Sequence, residues 1–213
     1  FNDNDKAYLT LTPGTAGNRR TFTFSAWCKK SSLANVDSRS SNTLFDAYVD
    51  NANRFRLYFD DTGPLSLYCV IGGSFSMRML TDAFYRDFSA WYHVVLAVDT
   101  TQGTNTNRVK LYVNGEQITS FSSLTYPAQN AEHQVNDTLA HHVGAGSYSD
   151  ALYDGTYLDG YLAEVNFIDG AAKAPADFGE TGDYGEWKPK AYAGAYGDEG
   201  WYLDFKSSGV GTA

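Results

Sequence analysis

The chain has 213 residues, 43% hydrophobic and 19% charged, enough for one sizeable core and too apolar for an intrinsically disordered segment. Its net charge of -9, from 16 basic and 25 acidic residues, argues against nucleic acid, whose binding leans on a basic footprint. No run reaches the roughly 18 consecutive apolar residues of a membrane helix, so no membrane insertion is expected.

Alternating runs rich in β-branched and aromatic residues recur from end to end. Residues 7–12 (AYLTLT) stop at the turn pair Pro13-Gly14. In residues 20–30 (RTFTFSAWCKK), Phe22, Phe24, Ala26 and Cys28 share one face and Thr23, Ser25, Trp27 and Lys29 the other. The basic doublets Arg19-Arg20 and Lys29-Lys30 read as solvated strand ends, and the polar stretch 31–42 as a loop. Shorter runs follow at 43–49, 54–59, 65–71 and 76–80, separated by Asp50-Asn51, Asp60-Asp61-Thr62-Gly63-Pro64 and Gly72-Gly73. That spacing suits a sandwich or barrel.

Residues 91–98 (WYHVVLAV) are apolar on both alternating faces apart from His93, which places this strand in the middle of a layered structure. Residues 109–113 and a run back over 116–121 flank Asn114-Gly115, a favoured two-residue hairpin turn. Residues 139–146 and 157–169 are the last long strands; in the latter, Tyr161, Ala163, Val165 and Phe167 alternate with Leu162, Glu164, Asn166 and Ile168. Residues 171–179 (AAKAPADFG) permit one short helical turn from Pro175 to Gly179. The Gly/Tyr-rich tail ends in a strand at 201–205, and the first residue, Phe1, and the closing SSGVGTA suggest part of a longer polypeptide. These segments predict a single all-β domain, an antiparallel jelly-roll β-sandwich of about a dozen strands with minimal helix. Its core spans about 7–179, with 180–213 as an extension.

The segments FTFSAWCKK, WYHVVLAVDTTQGTNTNRVKLYVNGEQI and LDGYLAEVNFIDGAAKAPADFG resemble the laminin-G/pentraxin-like branch of the concanavalin A-like lectin/glucanase jelly rolls. This fold hosts lectins, hydrolases and inert spacers, so the resemblance implies the fold more than an activity. Both ends, FNDNDKAYLTLTPGTAGNRRTFTFSAW and DFGETGDYGEWKPKAYAGAYGDEGWYLDF, are similar to virion proteins of tailed bacteriophages. That likeness implies a structural or adhesion module of a phage particle, located in the virion. Its partners would be other virion proteins or copies of itself, and possible ligands are host-surface glycans. The alternative is a carbohydrate-binding lectin-like domain of a secreted or cell-surface protein; a divergent glycan hydrolase ranks third.

No catalytic residue is expected. Jelly-roll glucanases supply their two carboxylates from one strand as Glu-x-Asp-x-x-Glu or a close variant, and retaining hydrolysis needs them ~5–5.5 Å apart. Here Glu164 is followed by Asn166 and Ile168, and Asp169 has the opposite parity. His93 reads as a core histidine, His133 lies in a loop, and the adjacent His141 and His142 point to opposite faces. Cys28 and Cys69 read as buried thiols in preference to a disulfide. No metal site and no cofactor are expected. Calcium is what the resemblance leaves open, through the rim-loop carboxylates Asp60, Asp61, Asp150, Asp154 and Asp159, none with EF-hand spacing. The candidate ligand-binding residues are Tyr148, Tyr153, Asp154 and Trp187, because aromatic faces stack on sugar rings and also anchor protein interfaces. The plain alternative is that these aromatics cover the sandwich or pack on a neighbouring subunit; subunit packing ranks above sugar binding for these loops, and both above catalysis. The sequon Asn136-Asp137-Thr138 carries no weight unless the host glycosylates secreted chains.

Overall fold

The computed structural model describes residues 1–33 and 40–206, so part of the polar stretch 31–42 and all of the closing SSGVGTA lie outside the described residues. The strands in chain order are β1 (Leu9–Leu11), β2 (Thr21–Lys30), β3 (Ser41–Asp50), β4 (Asn53–Asp60), β5 (Pro64–Ile71) and β6 (Ser74–Phe84). Next come β7 (Tyr92–Asp99), β8 (Val109–Val113), β9 (Glu116–Gln117), β10 (Phe121–Thr125), β11 (His141–Val143) and β12 (Ser147–Tyr148). The last are β13 (Ala151–Leu152), β14 (Gly160–Asp169), β15 (Gly179–Thr181), β16 (Trp187–Pro189) and β17 (Trp201–Leu203). Helix among the described residues is confined to single 3-10 turns at Asn105–Asn107, Asp154–Thr156 and Pro175–Asp177. The last of these is the turn expected after Ala171, and Asp177 accepts a hydrogen bond from the Ala174 amide there.

Two antiparallel sheets form the sandwich. One has seven strands in the order β1-β11-β3-β4-β5-β6-β10, the other six in the order β17-β14-β2-β7-β8-β9. The alternation read from the sequence builds the core. Phe22, Phe24, Ala26 and Cys28 from β2 and Val94, Leu96 and Val98 from β7 meet Phe45, Phe55, Leu57, Leu67 and Met77 of the other sheet. Both thiols are buried and unpaired, and burial raises each to about 12. The Asn114-Gly115 turn has φ of 52° and 87°, the double positive φ of a type I′ hairpin. The Asn114 carboxamide oxygen also accepts from the His93 amide at 2.8 Å, securing the start of β7.

Three details differ from the sequence reading. The run 116–121 is not one returning strand: β9 pairs with β8, whereas β10 pairs with β6 in the opposite sheet. In β14 the alternation breaks at a bulge between Ala163 and Asn166, where Glu164 takes φ of 49°. The extra residue resets parity, so Leu162 joins Val165 and Phe167 in the core while Tyr161 is exposed. Lys30 is not a solvated strand end. It is fully buried, its ammonium 4.4 Å from the centroid of the Phe59 ring, and burial lowers its pKa to about 8. The sequon asparagine, Asn136, is buried, donating to the carboxylate of Asp169 and the carbonyl of Asn18.

The C-terminal segment is not loop draped on solvent. It lays a third layer on the back of the six-stranded sheet, where Val95, Ile168 and Phe178 cluster with Tyr112, Ala171, Tyr192 and Tyr196. This covers Thr23 and Ser25 as well, both fully buried. The Thr23 hydroxyl donates to the Ala171 carbonyl and accepts from the Lys173 amide, each at 2.8 Å.

Three histidines are buried, His93, His133 and His141, and burial lowers each to about 4. Unfolded histidine titrates near 6.5, so between about pH 6.5 and 4 the unfolded chain binds protons that the folded chain refuses. Stability is therefore fully present above about 6.5 and falls as the pH drops toward 4, by up to about 4 kcal/mol per pH unit for three protons. Denaturant unfolding at pH 7.5, 6 and 5 should show that decline. A His133→Leu variant should have a shallower slope by about a third.

Candidate functional site

The outer face of the seven-stranded sheet carries the side chains that alternate with the core. Strand register lines them up in a cross-strand row: His142 opposite Asp46, Asp46 opposite Arg56, Arg56 opposite Tyr68, and Tyr68 opposite Arg78. The middle of the row is locked. Arg56 donates through Nε to Asp46 Oδ1 at 2.8 Å and through Nη2 to the Ser147 carbonyl, while the Ser147 amide donates to Asp46 Oδ2 at 3.1 Å. Burial pushes the Asp46 carboxyl up, but Arg56 and His142 more than offset it and hold it below the usual carboxylate range. Gly146 lies against the Arg56 guanidinium so closely that a Cβ there would collide with it. This clamp fixes the β12–β13 hairpin over the sheet.

Between hairpin and sheet runs a groove of about 290 Å³, walled by Arg54, Tyr58, Tyr68, Arg78, Tyr148 and Tyr153. Tyr148 and Tyr153 meet edge to face at 5.8 Å, and Tyr58 and Tyr68 at 5.7 Å. The Arg54 guanidinium stands 5.5 Å from the Tyr68 ring and that of Arg78 4.7 Å from the Phe75 ring. A larger hollow, about 380 Å³, opens beside Asp99, Lys110 and Lys173. Its carboxylate is already engaged by Thr21, Thr101 and Gln102, and Tyr112 is its one aromatic wall. The groove combines aromatic faces with ready donors and is the better-built ligand site.

Two of the four expected ligand-binding residues, Tyr148 and Tyr153, wall this groove. Asp154 begins a 3-10 turn and ion-pairs with Lys6 at 2.6 Å, both exposed. Trp187 lies elsewhere, on the back of the other sheet, so the structure does not bring the four together. Its indole Nε1 donates to His93 Nδ1 at 2.9 Å, and its ring is seated against Gly115 and Gly179. Since an indole N–H only donates, His93 Nδ1 is the acceptor and its Nε2 carries the proton toward the Ser25 hydroxyl at 2.9 Å. Trp27 stacks on the same imidazole at 4.8 Å. His93 is thus a satisfied core histidine.

Among the carboxylates considered for calcium, Asp60 accepts from Thr62, Asp150 from Tyr48 and Asp159 from Ser32. Among the described residues no group of three or more His, Cys, Asp or Glu stands close enough to hold a metal ion. His141 and His142 do face opposite ways: His141 is buried and accepts from the Asn136 amide, and His142 sits 3.7 Å from Asp46 on the outer face. On β14, Glu164 accepts a 2.5 Å hydrogen bond from the Tyr202 hydroxyl. Asp169 is occupied by the Asn18 and Glu199 amides and the Asn136 carboxamide. Sequence reasoning missed Arg54, Tyr58, Tyr68 and Arg78. The available signal was the alternation in RFRLYF and LSLYCVI, which puts Arg54, Arg56, Tyr58 and Tyr68 on faces opposite the core residues.

A family model described as the concanavalin A-like lectin/glucanases superfamily matches residues 3–176. The chain belongs to that superfamily, as a laminin-G-type domain. No curated protein sequence matches it. Among solved structures, the native heptameric SAP-like pentraxin from Limulus polyphemus superposes with a TM-score of 0.52 at 16% identity, over 78% of this chain and 71% of that one. The binding domain of paraclostridial mosquitocidal protein 1 gives 0.52 at 14% identity, and the botulinum neurotoxin serotype G binding domain 0.52 at 11%. Each of those two matches covers 83% of this chain and 40% of the other. At these identities the likeness is one of fold.

Trp187→Ala should destabilise the domain by about 2–3 kcal/mol, from the half-buried ring removed and the His93 nitrogen left unpaired. Asp154→Asn should leave the thermal midpoint unchanged. Melting both variants beside the parent chain checks this, and a Trp187→Ala protein as stable as the parent would show that the indole is not a structural prop.

Proposed function

We propose that this domain is a non-catalytic glycan-binding and adhesion module that uses the groove on the outer face of the seven-stranded sheet. The observation that supports the reading is the groove itself. Tyr58, Tyr68, Tyr148 and Tyr153 present ring faces and hydroxyls beside Arg54 and Arg78 in one concave strip. Sugar rings stack their apolar C–H faces on such aromatics while their hydroxyls exchange hydrogen bonds with the polar rim. The fold is compatible, since solved relatives of this shape are described as binding domains of toxins.

Glu164 supports the non-catalytic half of the reading. Its carboxylate is tied to Tyr202, its neighbour Asn166 is buried with Nδ2 donating to the Glu164 carbonyl, and Ile168 is buried in the back cluster. A second carboxylate across a sugar bond, which this type of hydrolysis requires, is not supplied by that strand.

The context proposed for the module is a phage particle, as a capsid decoration, tail or fibre component held by neighbouring virion proteins or by copies of itself. What supports it is the resemblance of the two end segments to virion proteins. A secreted or cell-surface lectin is the other setting, and proteomics of purified particles against secreted fractions separates the two.

A glycan array probed with the domain should show binding that Tyr68→Ala weakens at least tenfold, about 1.4 kcal/mol, the scale of one well-placed aromatic contact. Tyr68 is only partly buried, so the variant should stay folded by circular dichroism. Incubation with the bound polysaccharides should release no reducing ends, and Glu164→Gln should change nothing. Glu164-dependent release would replace this reading with a hydrolase.

A further inference from the structure

The arginines among the described residues divide into two kinds. Arg19 and Arg20 pair with Glu132, and Arg19 also with Asp137. Arg56 pairs with Asp46, Arg86 donates to the Thr62 carbonyl, and Arg108 donates to three carbonyls. Among the described residues Arg54 and Arg78 make no hydrogen bond and no ion pair. Each leans on a ring instead, Tyr68 and Phe75 respectively, and both wall the groove. In a chain with 25 acidic residues and 16 basic ones, two guanidinium groups with no carboxylate partner among the described residues, both on one concave strip, are a local positive field inside an acidic surface. A ring beneath a guanidinium supports its flat face and leaves its N–H edge able to donate. That edge matches a carboxylate with two parallel hydrogen bonds.

The opposite end of the strip has the opposite chemistry. Along β4 the outward residues are Arg54, Arg56, Tyr58 and Asp60, and Asp60 and Ser41 line the far part of the groove. At about 3.3 Å per residue, the six steps from Arg54 to Asp60 span roughly 20 Å, the length of a short oligosaccharide. A carboxylate ligand would be repelled at Asp60, whereas sugar hydroxyls would donate to it.

We propose that the groove reads an acidic oligosaccharide lying along β4, with a carboxylate-bearing sugar over Arg54 and Arg78 and neutral, hydroxyl-rich rings running over Tyr58 and Tyr68 toward Asp60. This rests on the reading of the groove as a glycan site and adds the class of sugar and its direction. Arg56 is not assigned to reading the charge, because its own charge is already matched by the buried Asp46 carboxylate and its Nε and Nη2 donate to Asp46 and the Ser147 carbonyl.

The test is calorimetric titration of the full chain with sialyllactose, a glucuronate-terminated oligosaccharide, the carboxyl-reduced form of each, lactose, and lactose carrying a sulfate. At least one acid should bind tenfold or more tighter than its reduced form. Arg54→Gln and Arg78→Gln should each remove that preference while leaving the reduced sugar's affinity and the thermal midpoint unchanged. Tyr68→Ala should weaken acidic and reduced sugars alike. Equal affinity for acid and reduced forms, with binding still dependent on Tyr68, overturns the acidic assignment and leaves the glycan site standing. A preference that survives both arginine variants places the acid elsewhere and overturns it too. Sulfated lactose bound as tightly as the best acid, with the same arginine dependence, makes the strip a general anion site in place of a carboxylate reader. Binding of none of the sugars removes this inference and the glycan reading together.

Discussion

Burial of β7 on both faces is the constraint on which the rest of the structure depends. A strand in the middle of two layers must have every polar group satisfied from within, since an unpaired buried donor or acceptor costs about 1–3 kcal/mol. On the core side Val94, Leu96 and Val98 raise no such demand. On the other side the six-stranded sheet presents His93, Ser25 and Thr23, all fully buried. His93 and Ser25 satisfy each other, Trp187 supplies the remaining imidazole nitrogen, and the backbone around Ala171 and Lys173 satisfies Thr23. The C-terminal segment is therefore part of what keeps the sheet dry, although the family match ends at residue 176, before Trp187.

The second sheet solves a different problem. Among the described residues its outer face has no covering layer of comparable extent, and it fixes its own geometry with a buried ion pair. Such a pair is weak evidence for stability, because desolvation offsets much of the attraction. It is strong evidence for position. With Asp46 bonded to both Arg56 and the Ser147 amide, and Arg56 to the Ser147 carbonyl, the β12–β13 hairpin is held at a set height above β4. Tyr148 then stands where it faces Tyr68 and Arg78 across the groove. One arginine is consumed in building the wall, and its neighbours on the same face remain for a ligand.

Period-two alternation made most of the sandwich legible in the sequence. It named the inward residues of β2, marked β7 as buried on both faces and, with Asn114-Gly115, located the central hairpin. It failed where the period itself was broken. A Glu at positive φ in β14 adds one residue to the ladder and swaps Tyr161 for Leu162 in the core, and a non-glycine residue in that conformation gives no local signal. It failed also where tertiary packing assigned a role to an aromatic in a glycine-rich tail. Trp187 looked like a loop residue offered to a ligand, and nothing in its neighbourhood in sequence shows that His93, 94 positions earlier, accepts its N–H. Lys30 illustrates the same limit, since a lysine closing an amphipathic run reads as solvated until a ring such as Phe59 is found beside it. For the groove, Tyr148 and Tyr153 were legible as loop aromatics, whereas Arg54 and Arg78 were not, because two runs on adjacent strands must be put in register before their side chains form one strip.

A sandwich has two outer faces, and in this chain they are used unequally. The back of β2, β7 and β14 around Ser25, His93 and Val95 is filled by the chain's own C-terminal layer, so a ligand there would have to displace packed aromatics. The outward face of β4, β5 and β6 keeps Arg54, Tyr58, Tyr68 and Arg78 only partly buried, with the hairpin as a wall and not a lid. With the chain's own tail folded onto one sheet, the recognition proposed for this domain falls to the other. On that other sheet the proposed strip offers ring faces for stacking, cations without partners among the described residues at one end and a carboxylate at the other. These are directional features, and they match the ligand proposed above, with an acidic end and a neutral one.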